Sequence, residues 1–272
     1  MSRPATLDGL ERLGEGREAE TFAWGDGQIL RLMRDPSHAA RVDREELALK
    51  AARQAGVPVP AVFGRCELDG RPGLVMERVD GTDLLTLLGR QPWRLPAVAR
   101  TLGVAHARLH AFELGDDLPT VHDYIGACIE DSLVPDDLRG PARERLAALA
   151  AGKNLCHWDF HPANLLQGEQ RPVVIDWTFA LRGDAAADVA RTRLILGVGA
   201  PPPGASLLVR RFDALARRTL VRLYLRAYRR QGPLDLELVA RWEPLVALAR
   251  LTAGIPQERE QLISICCSLG AS

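Results

Sequence analysis

Hydrophobic positions follow two different rhythms along this 272-residue chain. Through roughly the first third, short apolar runs alternate with polar residues and are cut by glycine: LDGLERLGEG from residue 7, then AETFAW, then QILRLMR. Alternation with a period of two turns one face of a strand towards a core. The Gly25-Asp26-Gly27 break between two such runs predicts a hairpin turn. HAARVDREELALKAARQA (38–55) carries Val42, Glu46, Leu49 and Ala52 or Arg53 at helical spacing and stops at Gly56, with Pro58 beyond. VPVPAVFGRCEL and RPGLVMERV then supply two more strands around Gly70.

After Asp80-Gly81 the pattern lengthens into helical periods over 82–90, 94–114 and 137–151, with further helices around the turns GAPPPGA (199–205) and Gly232-Pro233. The exception is a strand, loop and strand at 154–176. The pattern predicts an α/β (α+β) chain with a β-rich lobe over 1–79, containing one helix, and a mostly helical lobe over 80–272. Within VRRFDALARRTLVRLYLRAYRR (209–230), the spacing of Phe212, Ala216, Leu220, Leu223 and Ala227 predicts one packed stripe. It leaves most of eight arginines on a solvated face.

Charge narrows the function classes. The 35 basic and 35 acidic side chains cancel, so no global field draws nucleic acid or an anionic membrane. No apolar run reaches the roughly 18–20 residues needed to span a bilayer, and the amino terminus shows no apolar signal core, which together predict a cytoplasmic protein. Five cysteines without a CxxC pair argue against a disulfide framework or a zinc ribbon. Only Lys50 and Lys153 can offer an ammonium.

The densest chemistry lies in CHWDFHPANLL (156–166). On an extended strand His157, Asp159 and His161 would share a face, as a small metal cluster requires. A zinc reading leaves Asn164 and Asp176 unexplained. Asp159 precedes Asn164 by five residues, and Asp176 closes the strand VVID twelve residues later. This D-x-x-x-x-N spacing followed by an aspartate matches the catalytic loop and metal ligand of protein kinases. Gly14 and Gly16 in LGEGREAE sit between strands, where missing side chains admit phosphates to backbone N–H groups.

The segments HWDFHPAN (157–164), Ile175-Asp176-Trp177 and GDAAAD (183–188) resemble the signature of the aminoglycoside phosphotransferase family, small-molecule relatives of the protein kinases. LVMERVDGTDL (74–84), HARLH (106–110) and RWEPLVALARLTAGIPQERE (241–260) extend the resemblance over nearly the whole chain. It implies a bilobal protein-kinase-like fold, with a small antiparallel sheet before a hinge and the nucleotide between the lobes. The donor is ATP, with GTP as the alternative, and the adenine meets the backbone around Glu77 and Val79. Mg²⁺ is held by Asn164 and Asp176, and Asp159 orients the acceptor hydroxyl. The phosphate-gripping lysine is replaced by Arg31, paired with Glu45 or, one residue on, with Glu46. Trp158 stands where the family has glycine, and packing is its expected role; His157 and His110 are read as structural.

The acceptor is a hydroxylated small molecule, such as an aminoglycoside or another antibiotic, taken up by a monomer or weak dimer. The acids of EDSLVPDD (Glu130, Asp131, Asp136 and Asp137) suggest that the acceptor is cationic. Two other classes stay open: a nucleotide-binding module without transfer activity, and a helical interaction protein using the arginine face of 209–230.

Overall fold

The computed structural model describes residues 7, 9–16, 18–168, 171–198 and 207–269, apart from the side chains of 207–210. The turn expected at 199–205 lies outside the described residues.

Five strands form the first sheet: β1 (Arg12–Glu15), β2 (Ala19–Ala23), β3 (Gln28–Met33), β4 (Val62–Leu68) and β5 (Arg71–Glu77). Their order is β1-β2-β3-β5-β4, and every pairing is antiparallel. Gly25 and Gly27 turn the β2–β3 hairpin with φ of 75° and 69°, a backbone region that glycine enters without steric penalty. Helix α1 (Ala39–Gln54) packs on β4 and β5.

Alternation in β3 decides what faces where. Leu30 and Leu32 point into a small cluster with Phe22, Trp24, Leu68 and Val75, while Ile29, Arg31 and Met33 point to the α1 side. Arg31 thus faces α1 because its phase in the strand leaves no other choice.

Beyond Glu77 a short connection leads to β6 (Thr82–Asp83), α2 (Leu84–Arg90), α3 (Leu95–His110), α4 (Val121–Ile129) and α5 (Asp136–Ala147). Two small sheets follow, built from β7 (Asn154–Cys156), β8 (Leu165–Gln167), β9 (Pro172–Val174) and β10 (Leu181–Gly183). They pair as β10-β7 and β6-β8-β9. The chain ends in α6 (Ala185–Gly197), α7 (Leu207–Arg229), α8 (Leu236–Leu251) and α9 (Pro256–Cys266). Among the described residues no helix is long and apolar enough to cross a membrane.

Two expectations need correction. The helix expected over 94–114 stops at His110, and Phe112 and Leu114 instead hydrogen-bond to the backbone of 153–155 beside β7. The stripe expected on α7 also shifts. Leu220, Tyr224, Ala227 and Tyr228 are buried, whereas Phe212 is 75% exposed. The shift follows from where α3 meets α7. A Cβ on Gly103 would lie 2.4 Å from the Tyr224 carbonyl oxygen and 2.7 Å from the Ala227 Cβ. Close approach there places the contact in the carboxy-terminal half of α7 and leaves its first turns uncovered.

Candidate active site

The loop between β7 and β8 is built from hydrogen bonds to its own histidines. Nε2–H of the fully buried His157 donates to the Ile175 carbonyl (3.0 Å), and its Nδ1 accepts from the Asp159 backbone N–H (3.3 Å). His161 caps the short 3₁₀ turn Pro162–Asn164 by accepting from the Ala163 N–H, and its Nε2 lies 3.4 Å from an Asp159 carboxylate oxygen. Both imidazoles are engaged in hydrogen bonds, and among the described residues His157, Asp159 and His161 do not converge as a three-residue ligand cluster.

The Asn164 amide nitrogen donates to the Asp159 carbonyl (2.8 Å) and reaches its carboxylate (3.3 Å). That leaves the Asn164 amide oxygen without a hydrogen bond among the described residues. Burial pushes the Asp159 carboxyl up, but hydrogen bonding and charge from His161, with help from Arg191 and His157, bring it down to about 2. Asp159 is therefore a carboxylate at neutral pH.

Asp176 follows β9 with φ of 61°, a left-handed conformation that aspartate tolerates better than most residues. One of its carboxylate oxygens accepts from Arg31 Nη2 (2.9 Å) and from the Thr178 hydroxyl (3.0 Å). Its side chain stays 38% exposed. Arg31 Nη1 donates to Glu45 and to Thr178 Oγ1. The Glu45 partnership expected from the sequence thus holds, while Glu46 pairs with Lys50 and Arg65 on another face. Burial raises the Glu45 carboxyl against the pull of Arg31. Burial also opposes the Arg31 charge, but Glu45 and Asp176 outweigh it and leave the guanidinium more basic than usual. One cation therefore ties β3, α1 and the Asp176 segment together.

Gly14 and Gly16 lie at the β1–β2 turn. Neither has a positive φ, and a Cβ at either would meet nothing closer than 3.4 Å. Nothing inside the chain requires glycine at these two positions. Glu77 closes β5 and exchanges hydrogen bonds with Ala61. With Val79 it lines a cavity of about 530 Å³ between the α1–β4 link and the β8–β9 turn. Arg31, Asp159, Asn164 and Asp176 do not line that cavity; Arg31 bonds Asp176, and Asn164 bonds Asp159.

Sequence reasoning missed the support beneath the loop. The fully buried Asp188 carboxylate accepts from the backbone N–H groups of His157 (2.7 Å) and Trp158 (3.0 Å) and from Nε2 of His106 (3.1 Å) and His110 (3.2 Å). Tyr224 and Tyr228 donate their hydroxyls to the two Nδ1 atoms. Trp158 has φ of 66° at this point and is 1% exposed, so the indole packs as expected while the backbone N–H of Trp158 is pinned by Asp188. The GDAAAD motif marked Asp188, and the i, i+4 pair His106 and His110 was the available signal for its partners. His106, His110 and Asp188 are the one three-residue cluster of potential metal ligands among the described residues. Tyrosines and a shared carboxylate already satisfy it.

Acid should open this network. Burial drives the His106 imidazole down to about 4, and the positive end of its coupling to His110 adds to that shift against the pull of Asp188. An unfolded chain takes up the His106 proton near pH 6.5, before the fold does. Stability is therefore fully present above that pH and falls by about 3 kcal/mol as pH drops towards 4. Asp188 acts in the same direction at lower pH. Burial alone would raise it, but the two imidazoles hold it well below the ordinary carboxylate range, and that contribution is lost as pH falls through the range and below it. Urea midpoints between pH 7 and 4 check this, and a His106→Gln chain should show a flatter profile.

Comparison with known proteins agrees with this architecture. The phosphotransferase enzyme family matches residues 9–234. Acyl-CoA dehydrogenase family member 10 of Mus musculus is 29% identical over 175 residues, covering 56% of this chain and 16% of that protein. The chain thus spans about a sixth of the length of that curated relative. A thermostable mutant of aminoglycoside phosphotransferase APH(4)-Ia superposes with a TM-score of 0.65 at 18% identity, covering 96% of this chain and 93% of that one. A further mutant of that enzyme, in a ternary complex with AMP-PNP and hygromycin B, gives a TM-score of 0.62 at 20% identity, covering 96% of this chain and 93% of that one. A choline/ethanolamine kinase family protein from Mesorhizobium loti gives 0.61 at 19% identity, covering 98% and 90%. At such identities the structures show a shared kinase-like fold. With its catalytic-loop motif inside a match that runs from residue 9 to residue 234, the chain belongs to the phosphotransferase enzyme family.

Proposed function

We propose that this chain transfers the γ-phosphoryl group of ATP to a hydroxyl of a small molecule. The observation that carries the reading is the assembled cluster in which Arg31 joins Glu45 to Asp176 while Asn164 clasps Asp159. In this reading residues 1–79 cradle the nucleotide. The Gly14–Gly16 turn leaves room for phosphates, the backbone at Glu77 and Val79 meets the base, and residues 80–272 take the acceptor. The AMP-PNP complex of an enzyme with the same fold supports a nucleotide ligand.

Asp159, ionised at neutral pH, accepts the hydroxyl proton as the hydroxyl oxygen bonds to the γ-phosphorus. The bond from that phosphorus to the β,γ-bridging oxygen breaks, and ADP leaves with the electron pair. Arg31 faces the charge that shifts onto the leaving phosphate.

The donor set fits Mg²⁺. The free amide oxygen of Asn164 and the second carboxylate oxygen of Asp176 are hard ligands that would hold the ion. When bound it would neutralise phosphate charge.

Trp158 gives no support to a binding-only reading, because its indole is buried in the protein beneath Asp159. A panel of hydroxylated compounds, scored for ADP release by wild type and by an Asp159→Asn control, tests the assignment. Acceptor-dependent ADP release by the wild type alone is expected. Release that is equal in both proteins, or that no hydroxyl compound stimulates, would count against it.

A further inference from the structure

Among the described residues Arg191 is the one buried arginine or lysine, and the proposed chemistry does not use it. It lies on α6, three residues beyond Asp188, and is 7% exposed. Its Nε donates to the Trp158 carbonyl (3.2 Å), the peptide that leads into Asp159. The guanidinium carbon stands 5.9 Å from the centre of the Trp158 ring, and Tyr124 of α4 meets that indole edge-on. Nη1 is sealed from solvent and has no hydrogen-bond partner, and among the described residues no carboxylate oxygen lies within 4.0 Å of the guanidinium.

Several half-buried arginines do have a carboxylate partner. Arg31 has Glu45 and Asp176, Arg71 has Glu20, Arg193 has Glu243, and Arg250 has Glu258. A guanidinium does not deprotonate in proteins, so burial without a counter-charge costs several kcal/mol. The charges that act on Arg191 include Asp159, which favours it, and Arg250, which opposes it.

Three of the four acids that suggested a cationic acceptor make contacts within the chain. Glu130 takes a bidentate contact from Arg143, Asp136 pairs with Arg139, and Asp131 caps the Leu133 N–H. An ammonium entering beside Asp159 would also feel the unpaired charge of Arg191.

We propose that Arg191 receives an anionic group, a carboxylate or a phosphate, carried by the same acceptor whose hydroxyl is presented to Asp159. This rests on the phosphotransferase reading for the hydroxyl, while the anion site rests on Arg191 itself. A planar guanidinium offers a fork matched to two oxygens of either anion, and the adjacency of Trp158 and Asp159 sets anion and hydroxyl within one small molecule. A brace alone would need only the Nε bond to Trp158, which a neutral amide could supply.

The test uses the full chain with saturating AMP-PNP, so that the nucleotide's own phosphate contacts are filled. Glycolate, ethylene glycol and ethanolamine share a two-carbon hydroxylated skeleton and differ in charge; glycerol 3-phosphate and glycerol extend the comparison to phosphate. At constant ionic strength, glycolate or glycerol 3-phosphate should raise the melting temperature, while the diol, glycerol and ethanolamine should not. The larger of the two anion shifts tells carboxylate from phosphate. In Arg191→Gln, which keeps an N–H for the Trp158 carbonyl, anion affinity should fall roughly 10- to 100-fold, the scale of one charge-assisted contact, with the AMP-PNP shift unchanged. Arg191→Lys should retain part of the anion response, and it carries the test if the glutamine chain does not fold. The proposal is overturned if neither anion shifts the wild type, if Arg191→Gln responds like the wild type, or if ethanolamine gives the largest shift. Loss of the AMP-PNP shift in the wild type would strike the phosphotransferase reading instead, and the anion response would still report on Arg191.

Discussion

Asp159→Asn lowers turnover by roughly 10²–10⁴, the usual scale for losing a positioned base, and leaves nucleotide affinity nearly intact. Asp176→Asn lowers both turnover and Mg²⁺-dependent ATP affinity. The structure gives the reason for the split. Asp159 is tied to Asn164 and His161 within its own loop, and no Asp159–Arg31 contact occurs. Asp176 shares Arg31 with Glu45, so removing its charge also leaves that guanidinium with one carboxylate fewer. Asparagine keeps the Asp159 shape and its reach to Asn164, so the loss of turnover there reports proton acceptance and not loop collapse. Turnover and ATP titrations of both variants, with and without Mg²⁺, decide the matter. Equal losses of ATP affinity would contradict the division of roles.

What could be read from the sequence was carried by local spacing. The D-x-x-x-x-N interval and the aspartate at the end of VVID fix their relative places through a short loop and a strand, so the backbone leaves little freedom. Strand phase set Arg31 on the α1 side, and the helical register of α1 then brought Glu45 to it; Glu46, one position on, turns to Arg65 and Lys50. The support beneath the loop was not legible in the same way. Asp188 meets His106 and His110 across 82 and 78 residues of chain, and a buried histidine in a helical pattern looks the same whether or not a carboxylate waits for it. Arg191 was hidden for a related reason. Its isolation from carboxylates is a property of the packed state, and sequence spacing carries no trace of an absent partner. On α7 the hydrophobic spacing was real, but Gly103 selects which half of the helix is covered.

Arg31→Ala is the most damaging single change expected in the sheet domain, and a double replacement separates its two effects. Glu45 is 1% exposed and has Arg31 as its hydrogen-bonded cation, so truncating Arg31 strands a buried carboxylate. Breaking such a pair costs about 3–5 kcal/mol. Removing Glu45 as well takes away the stranded charge, so the Arg31→Ala, Glu45→Ala chain should recover part of that loss in urea denaturation. It should recover no activity, because the cation facing the phosphates is still missing. Arg31→Lys falls between these cases. One ammonium keeps the charge, but it cannot reproduce a fork in which Nη1 serves Glu45 and Thr178 while Nη2 holds Asp176. Its stability should therefore lie between those of Arg31→Ala and the wild type, with a raised KM for ATP. Wild-type ATP kinetics in Arg31→Ala would remove Arg31 from the phosphate site and leave it as a tie between β3, α1 and Asp176. Recovery of turnover in the double variant would show instead that the single change acted only by stranding Glu45.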